Sequence, residues 1–364
     1  MNVTNESRRR AIQLKAQLDK RFFRKGLIVA ILSGMCYGLY SAFMTLGMAS
    51  GVWMSWMDPA TTVLSVFVVT YLLSAMGSAI NDTMSALWCL LTAALKGKLG
   101  DFFRTLKSKP GIIMVCAALV GGPIASSCYV IALQQAGSIV IPISALCPAF
   151  GAVLARIFFK QPLTPRMVIG IAICFLASFM IASSSLGGDA APGMALGLLL
   201  GLASALGWGL EGCIAGYGTS MIDYQIGITI RQLTSGLSNM IILLPIFALA
   251  AGENAGFSWR LLGEAYSDGG SIIFFVISGF FAMYAYSLWY KGNSMCGAAL
   301  GMACNGAFSF WGPFFCWIVL GLVCGQEGWS IPPIGWAAAV VMVIGIFIIA
   351  VNPLDFMKKG RAER

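Results

Sequence analysis

Histidine is absent from the 364 residues, and charged residues make up only 10% of them. The first absence removes imidazole metal ligands and histidine proton relays together. The second lies far below the roughly one-quarter share of charge in a soluble domain. No GxxxxGK[ST] occurs, so no P-loop is present for direct ATP drive. HExxH and GxSxG are missing, and the apolar runs hold no evident carboxylate pair, so the sequence does not read as an enzyme. No CxxC pair marks a redox or metal centre, and neither a cofactor nor a metal is expected. Eleven cysteines are present, an odd number, all inside apolar runs where a free thiol behaves as a small hydrophobe.

Apolar residues fill that space: 59% of the chain is hydrophobic and the mean hydropathy is +0.84. Runs of about 18 or more apolar residues recur from end to end, each long enough to cross a ~30 Å hydrocarbon core at ~1.5 Å per residue. The spacing predicts ten crossings near 27–49, 61–80, 110–134, 138–159, 167–186, 193–217, 225–249, 271–290, 295–324 and 333–352. The first follows a basic segment, as a signal peptide would, but exceeds the ~7–15 residues of a signal core and reads as a retained helix. With the N-terminus inside, all but two of the 23 Lys and Arg fall in cytoplasmic segments or at cytoplasmic helix ends. The exceptions are Arg260, outside, and Arg231, within a helix. That bias predicts a multi-pass protein of the cell membrane with both termini cytoplasmic. The +9 net charge then reflects topology and attraction to anionic lipid, and no nucleic-acid partner is expected.

The second crossing is untidy, because "NDT" (81–83) and the apolar "MSALWCLLTAAL" precede the basic loop. Charge placement allows one net crossing, with 83–95 as a half-helix or interfacial extension. Asp82 and Asp58 are assigned to helix ends. Ahead of the first crossing, Ala11, Leu14, Leu18 and Phe22 recur at helical spacing among Arg and Lys. Such a pattern suits a helix lying on the inner surface, or a solvated basic arm.

Glu211, in "LGWGLEGCIAG" (206–216), is the sole charge between Ala190 and Ile222. A buried charge there costs ~2.5–3.5 kcal/mol on insertion scales, so it turns toward a partner or a wet cavity. Gly193, Gly197, Gly201, Ala205 and Gly209 form a small-residue stripe suited to close helix packing. Glu211 lies roughly 200° from Gly209 and within ~60° of Ser204, Gly207 and Trp208. It therefore faces away from the stripe.

"ILSGMCYGLY" (31–40) aligns with "LASALGWGLE" (202–211), placing Ser33 on Ser204, Tyr37 on Trp208, Gly38 on Gly209 and Tyr40 on Glu211. A weaker match joins 132–150 to 288–306. Five helices per copy force the second copy into the membrane inverted, and inverted repeats place substrate at their interface. The "YG"/"WG" pair and "SALCPAFGAVLARIFFKQPLTPRMVIGIAI" (144–173) resemble the drug/metabolite transporter superfamily, over roughly 26–352. That resemblance implies an all-α polytopic membrane protein of ten transmembrane helices in two inverted five-helix repeats, 26–187 and 188–352. Flanking them are a basic amphipathic segment (1–25) and a basic tail (353–364). Where members usually carry glutamate in the turn after the fourth helix, Lys160 and Gln161 stand here; the second half retains Glu327.

The expected site joins Glu211, Trp208 and Ser204 to Ser33, Tyr37 and Tyr40 across a central cavity. Aromatic walls around a carboxylate suit an organic cation or a stacked polar solute. Arg231 lies as far beyond the turn near Met221 as Glu211 lies before it, so the two could pair. One reading is a structural ion pair; the other has Glu211 titrating or binding substrate while Arg231 tunes it. Asn305, Tyr284, Tyr286, Tyr290 and Tyr129 are further wall candidates, with interhelical or lipid-interface packing as the alternative for each. Pro142, Pro148 and Pro313 are expected to bend helices. The expected function is a proton-coupled secondary transporter of a small polar or cationic metabolite. The alternatives are an uncoupled facilitator for a sugar or other neutral solute and a non-transporting scaffold. Partners would be the lipid bilayer, the small-molecule substrate and coupling protons; a homodimer is left open.

Overall fold

The computed structural model describes residues 2–60, 62–160, 164–184, 193–219, 221–296, 305 and 308–350. These residues are mostly helical, and no strand occurs among them. Five helices are long and apolar enough to cross a membrane: Ile28–Met48, Lys109–Ala136, Met194–Gly218, Tyr224–Ala250 and Gly269–Met295. Shorter apolar helices cover Cys147–Phe158, Pro165–Ala177, Phe310–Val323 and Pro333–Ile348. The chain is an all-α membrane protein. Hydrocarbon offers backbone groups no partner, so helices that satisfy their own N–H and C=O groups are the form such a composition takes.

Three expectations change. Residues 66–95 form one uninterrupted helix, a π turn at Val68–Leu73 running into Ser74–Leu95, with no half-helix at 83. "NDT" continues the helix because its side chains find partners at that depth: Thr83 Oγ1 donates to Ala79 O (2.7 Å), and Asn81 Oδ1 accepts from Ser278 Oγ (2.6 Å). Second, the basic N-terminal segment is the start of one 47-residue helix, Asn2–Met48. At ~1.5 Å per residue that helix is roughly 70 Å long, so its N-terminal part extends past any bilayer. Leu14, Leu18 and Phe22 are exposed on it. Third, the 138–159 crossing is broken into Val140–Ser144 and Cys147–Phe159. Pro148 has no N–H to give Ser144 O, and the chain instead turns tightly at 145–146, with Leu146 N bonded to Ile143 O.

The 2–48 helix packs mainly on 269–296, and Met194–Thr219 on 109–136. Further, 2–48 crosses 308–323 and Met194–Thr219 crosses 140–159, while 66–95 packs on 224–250 and Pro165–Ser184 on Pro333–Ala350. The small-residue stripe lies in such a contact. A Cβ on Gly197 would meet Ala136, and one on Gly209 would lie 2.8–3.0 Å from Phe150, Cys147 and Gly151. Gly38 makes the equivalent approach to Trp311 and Gly312 backbone atoms, at 2.6–2.9 Å. At one end Gly51 takes φ +57, which only glycine adopts without strain, and starts the short Val52–Met57 helix. Asp268 holds that helix by accepting from Val52 N (3.0 Å).

The nine cysteines whose side chains are described are unbridged. Gln161, Cys304 and the basic tail lie outside the described residues.

Candidate functional site

Arg231 is fully buried, and every edge of its guanidinium is engaged. Its Nε donates to Glu211 Oε1 at 2.8 Å and Nη2 to Glu211 Oε2 at 3.4 Å. Nη1 bonds Gln232 Oε1 and lies 3.6 Å from Asp82 Oδ1, while Nη2 also reaches Ser126 Oγ at 3.4 Å. The flat face of the guanidinium lies over the Tyr286 ring, 4.1 Å from its centroid. Glu211, itself fully buried, receives a third hydrogen bond from the Tyr290 hydroxyl at 3.2 Å. Asp82, 2% exposed, accepts from Ser235 Oγ.

Five helices deliver these groups, with 109–136 supplying Ser126. The 194–219 helix supplies Glu211, and Gly121 on 109–136 lets it lie close: a Cβ there would fall 1.8 Å from Glu211 Oε2. The 224–250 helix is capped by Asp223, whose carboxylate accepts from Gln225 N and Ile226 N, and presents Arg231 two turns inward. The 66–95 helix supplies Asp82, and 269–296 supplies Tyr286 and Tyr290.

Beside the charges lies a cluster of rings. Tyr37 stacks on Phe308 (centroids 4.2 Å apart) and meets Tyr40, Trp208 and Tyr129 at 4.7, 5.8 and 5.9 Å. Trp208 Nε1 donates to Gly121 O (3.1 Å), so Trp208 and Glu211 rest on the same glycine. Between the rings a cavity of about 10 Å³ remains, lined by Tyr37, Cys147, Trp208, Ala285, Tyr286, Trp289, Asn305 and Phe308. That is room for one water at most. The buried Trp289 Nε1 has no hydrogen-bond partner among the described residues. Tyr286 is the shared wall, its ring bounding this cavity and carrying Arg231.

The predicted residues thus divide. Tyr37, Tyr40, Tyr129, Trp208 and Tyr286 converge, and Asn305 joins them through Ser33 Oγ, which in turn donates to Ala285 O (2.7 Å). Ser204 does not face the cavity; it bonds Ser144 Oγ (2.8 Å) and ties 194–219 to 140–144. Tyr284 is 42% exposed and points away, while its neighbours Tyr286 and Tyr290 enter the site. Glu211 does not look into water: the pairing with Arg231 is present, and packing closes over it. Asp82, assigned from the sequence to a helix end, sits mid-helix at the guanidinium. Asn-Asp-Thr reads as a break, so its local pattern concealed it. The signal that could have found it was the charge count, which already required a single crossing through 61–95.

The two ends of the molecule differ. At one, a vestibule of about 690 Å³ is bounded by Thr45, Met48, Met54, Asp58, Gln134, Glu327 and Trp329 among others. Its floor connects to the rings within a turn, for Thr45 Oγ1 donates to Ser41 O (2.9 Å) and Ser41 Oγ bonds the Tyr129 hydroxyl (3.0 Å). At the opposite end Lys98 Nζ pairs with Asp223 (2.8 Å), Lys96 Nζ donates to Gln225 Oε1 (3.1 Å), and Lys291 lies over the Tyr224 ring. Partial burial pushes the Asp223 carboxyl up, but Lys98 and the backbone N–H groups of Gln225 and Ile226 outweigh it and hold the group below its usual range.

The chain matches no protein-family model, and no curated protein matches it. A solved structure described as "Crystal structure of protein" aligns with TM-score 0.48 and 16% identity, over 88% of this chain and 96% of that chain.

Proposed function

We propose that this protein is a secondary-active, proton-coupled transporter of a small polar or cationic metabolite, working by alternating access in the cell membrane. One observation carries the reading: a fully buried charged cluster shares a wall with a closed aromatic cavity lying about two helical turns beneath an open vestibule. A purely structural ion pair needs no vestibule, and a lipid-packed helix bundle needs no guanidinium. Together they describe a site closed at one end by Lys98–Asp223 and reached from the other. The basic residues at the Lys96–Lys109 end make that end cytoplasmic and the vestibule external.

The inverted-repeat architecture belongs to the same proposal and has three supports. Gly38 and Gly209, aligned in the sequence, each bring their helix against backbone atoms of a crossing segment, in 308–323 and 140–159 respectively. The π turns at Val68–Leu73 and Asn239–Leu243 stand at the same offset that lays 31–40 on 202–211. The helix pairings also exchange in kind: 2–48 with 269–296 answers Met194–Thr219 with 109–136. Resemblance to the drug/metabolite transporter superfamily agrees with this arrangement.

Tyr37, Trp208, Tyr286, Trp289 and Phe308 offer ring faces to a cation or to a stacking solute once rocking of the halves widens the cavity. A second reading, an uncoupled facilitator for a neutral solute, is favoured by the saturated pairing of Glu211 with Arg231 and the Tyr290 hydroxyl. Uptake of quaternary amines, amino acids and sugars into proteoliposomes, with and without a pH gradient, separates the two. Movement that requires the gradient supports coupling, movement indifferent to it supports the facilitator, and none for any solute refutes both.

A further inference from the structure

We infer that Asp82 is the group that carries the coupling proton, and that Glu211 stays ionised as the fixed partner of Arg231. The inference rests on the transporter reading and deepens it. The buried cluster holds two carboxyl groups and one guanidinium, so full ionisation would leave one uncompensated negative charge in an interior that tolerates none. One carboxyl must therefore be neutral, or a further cation must be present.

Geometry distinguishes the two. Glu211 has two guanidinium contacts, at 2.8 and 3.4 Å, and the Tyr290 hydroxyl at 3.2 Å, the surroundings of a carboxylate. Asp82 lies 3.6 Å from Nη1, beyond hydrogen-bond reach, because that nitrogen is turned to Gln232 Oε1. Its Oδ2 is bonded to Ser235 Oγ, a hydroxyl that can accept as readily as donate. Asp82 is thus held where a neutral acid is satisfied, and Glu211 where only an anion is.

Groups facing Asp82 come from each helix packed on 66–95. They are Arg231 from 224–250, Tyr286 from 269–296 and Tyr40 from 2–48, with Glu211 beyond the guanidinium. The 109–136 helix contributes Ser126, on Arg231, and Tyr129, bonded to Ser41. Arg231 is the one cation among these, and Glu211 already holds two edges of it.

The step is balanced. Asp82 releases one proton to water and becomes a carboxylate, and the cluster acquires one negative charge beside the aromatic cavity. A monovalent cation entering that cavity restores neutrality; its departure lets Asp82 take a proton back. Exchange of one proton for one cation follows, with no net charge moved.

The test is infrared difference spectroscopy on purified wild-type protein over a pH titration without ligand, following the carbonyl stretch of a protonated acid. A band present at neutral pH, shifted by ¹³C-carboxyl labelling of aspartate but not of glutamate, is expected, because Asp82 is the buried aspartate among the described residues. Its loss in Asp82→Asn would agree. A missing band, or one that follows the glutamate label, overturns the assignment, and labelling needs no variant to fold. Gradient-independent uptake by the same preparation would instead sink the proton-coupled reading and leave the band assignment standing.

Discussion

Replacing Arg231 with methionine removes the one cation from the buried cluster and leaves Glu211 ionised with the Tyr290 hydroxyl as its remaining donor. At about 4 Å between charge centres and an effective dielectric of ~20, the lost attraction is about 4 kcal/mol. Breaking one side of a buried pair generally costs about 3–5 kcal/mol, because the surviving charge keeps its desolvation penalty. The two figures agree, so Arg231→Met and Glu211→Met should each destabilise by roughly that amount. The double variant should lie within about 1–2 kcal/mol of wild type, since apolar side chains of similar volume replace a buried pair at little cost. Asp82 adds no charge in the double variant if it already holds its proton.

The assay is unfolding of each purified variant by sodium dodecyl sulfate in mixed micelles, followed by circular dichroism, with the four proteins forming a double-mutant cycle. Departure from additivity by several kcal/mol is expected. Single variants that cost under ~1 kcal/mol, as solvated surface pairs do, would show that water reaches the cluster and would refute the dry-interior argument. A double variant as unstable as the sum of the two singles would refute the pairing itself.

Gly38→Ala and Gly209→Ala should each cost about 1–3 kcal/mol by overpacking, because the added methyl meets backbone atoms of the crossing helix at 2.6–3.0 Å; unfolding midpoints unchanged in either would refute the close crossing. Tyr286→Leu should lose about 2 kcal/mol of desolvated cation–π contact, whereas Tyr284→Phe, on the exposed face, should stay within about 0.5 kcal/mol by the same unfolding measurement. At Asp223 the folded carboxyl titrates below its unfolded value, so its contribution is full above the unfolded value near 4 and is lost as pH falls through the folded one. The half-exposed Lys98 pair limits that contribution to under about 1 kcal/mol. Asp223→Asn should flatten the acid limb of the stability profile and keep the helix cap; Asp223→Ala should cost about 1 kcal/mol more by losing the cap.

Helix periodicity is a local property, and what depended on it was legible. The apolar runs marked the long helices, and the every-fourth-residue stripe marked the face of 194–219 that lies on 135–151. Equal distance from a turn brought Glu211 and Arg231 to one depth. Contacts between distant helices were not legible in the same way. Ser204 shares the helix side of Trp208, yet the 140–144 segment comes close enough to take its hydroxyl, and nothing in 194–219 indicates that neighbour. Tyr284, Tyr286 and Tyr290 are chemically alike, and which of them faces inward depends on where 269–296 meets 2–48.

Asp82 joins both kinds of evidence. Taken alone, Asn81-Asp82-Thr83 has the composition of a loop. Charge placement, however, allowed one crossing between residue 61 and the lysines at 96–98, and the continuous 66–95 helix of the structure puts these three residues near its middle. An aspartate at that depth must meet a cation or hold a proton. The sequence contains one arginine deep in a helix, Arg231, and Glu211 already claims it. Two acids and one base in a dry interior leave a proton unassigned whatever the helix arrangement, and the 3.6 Å gap at Nη1 indicates which acid holds it.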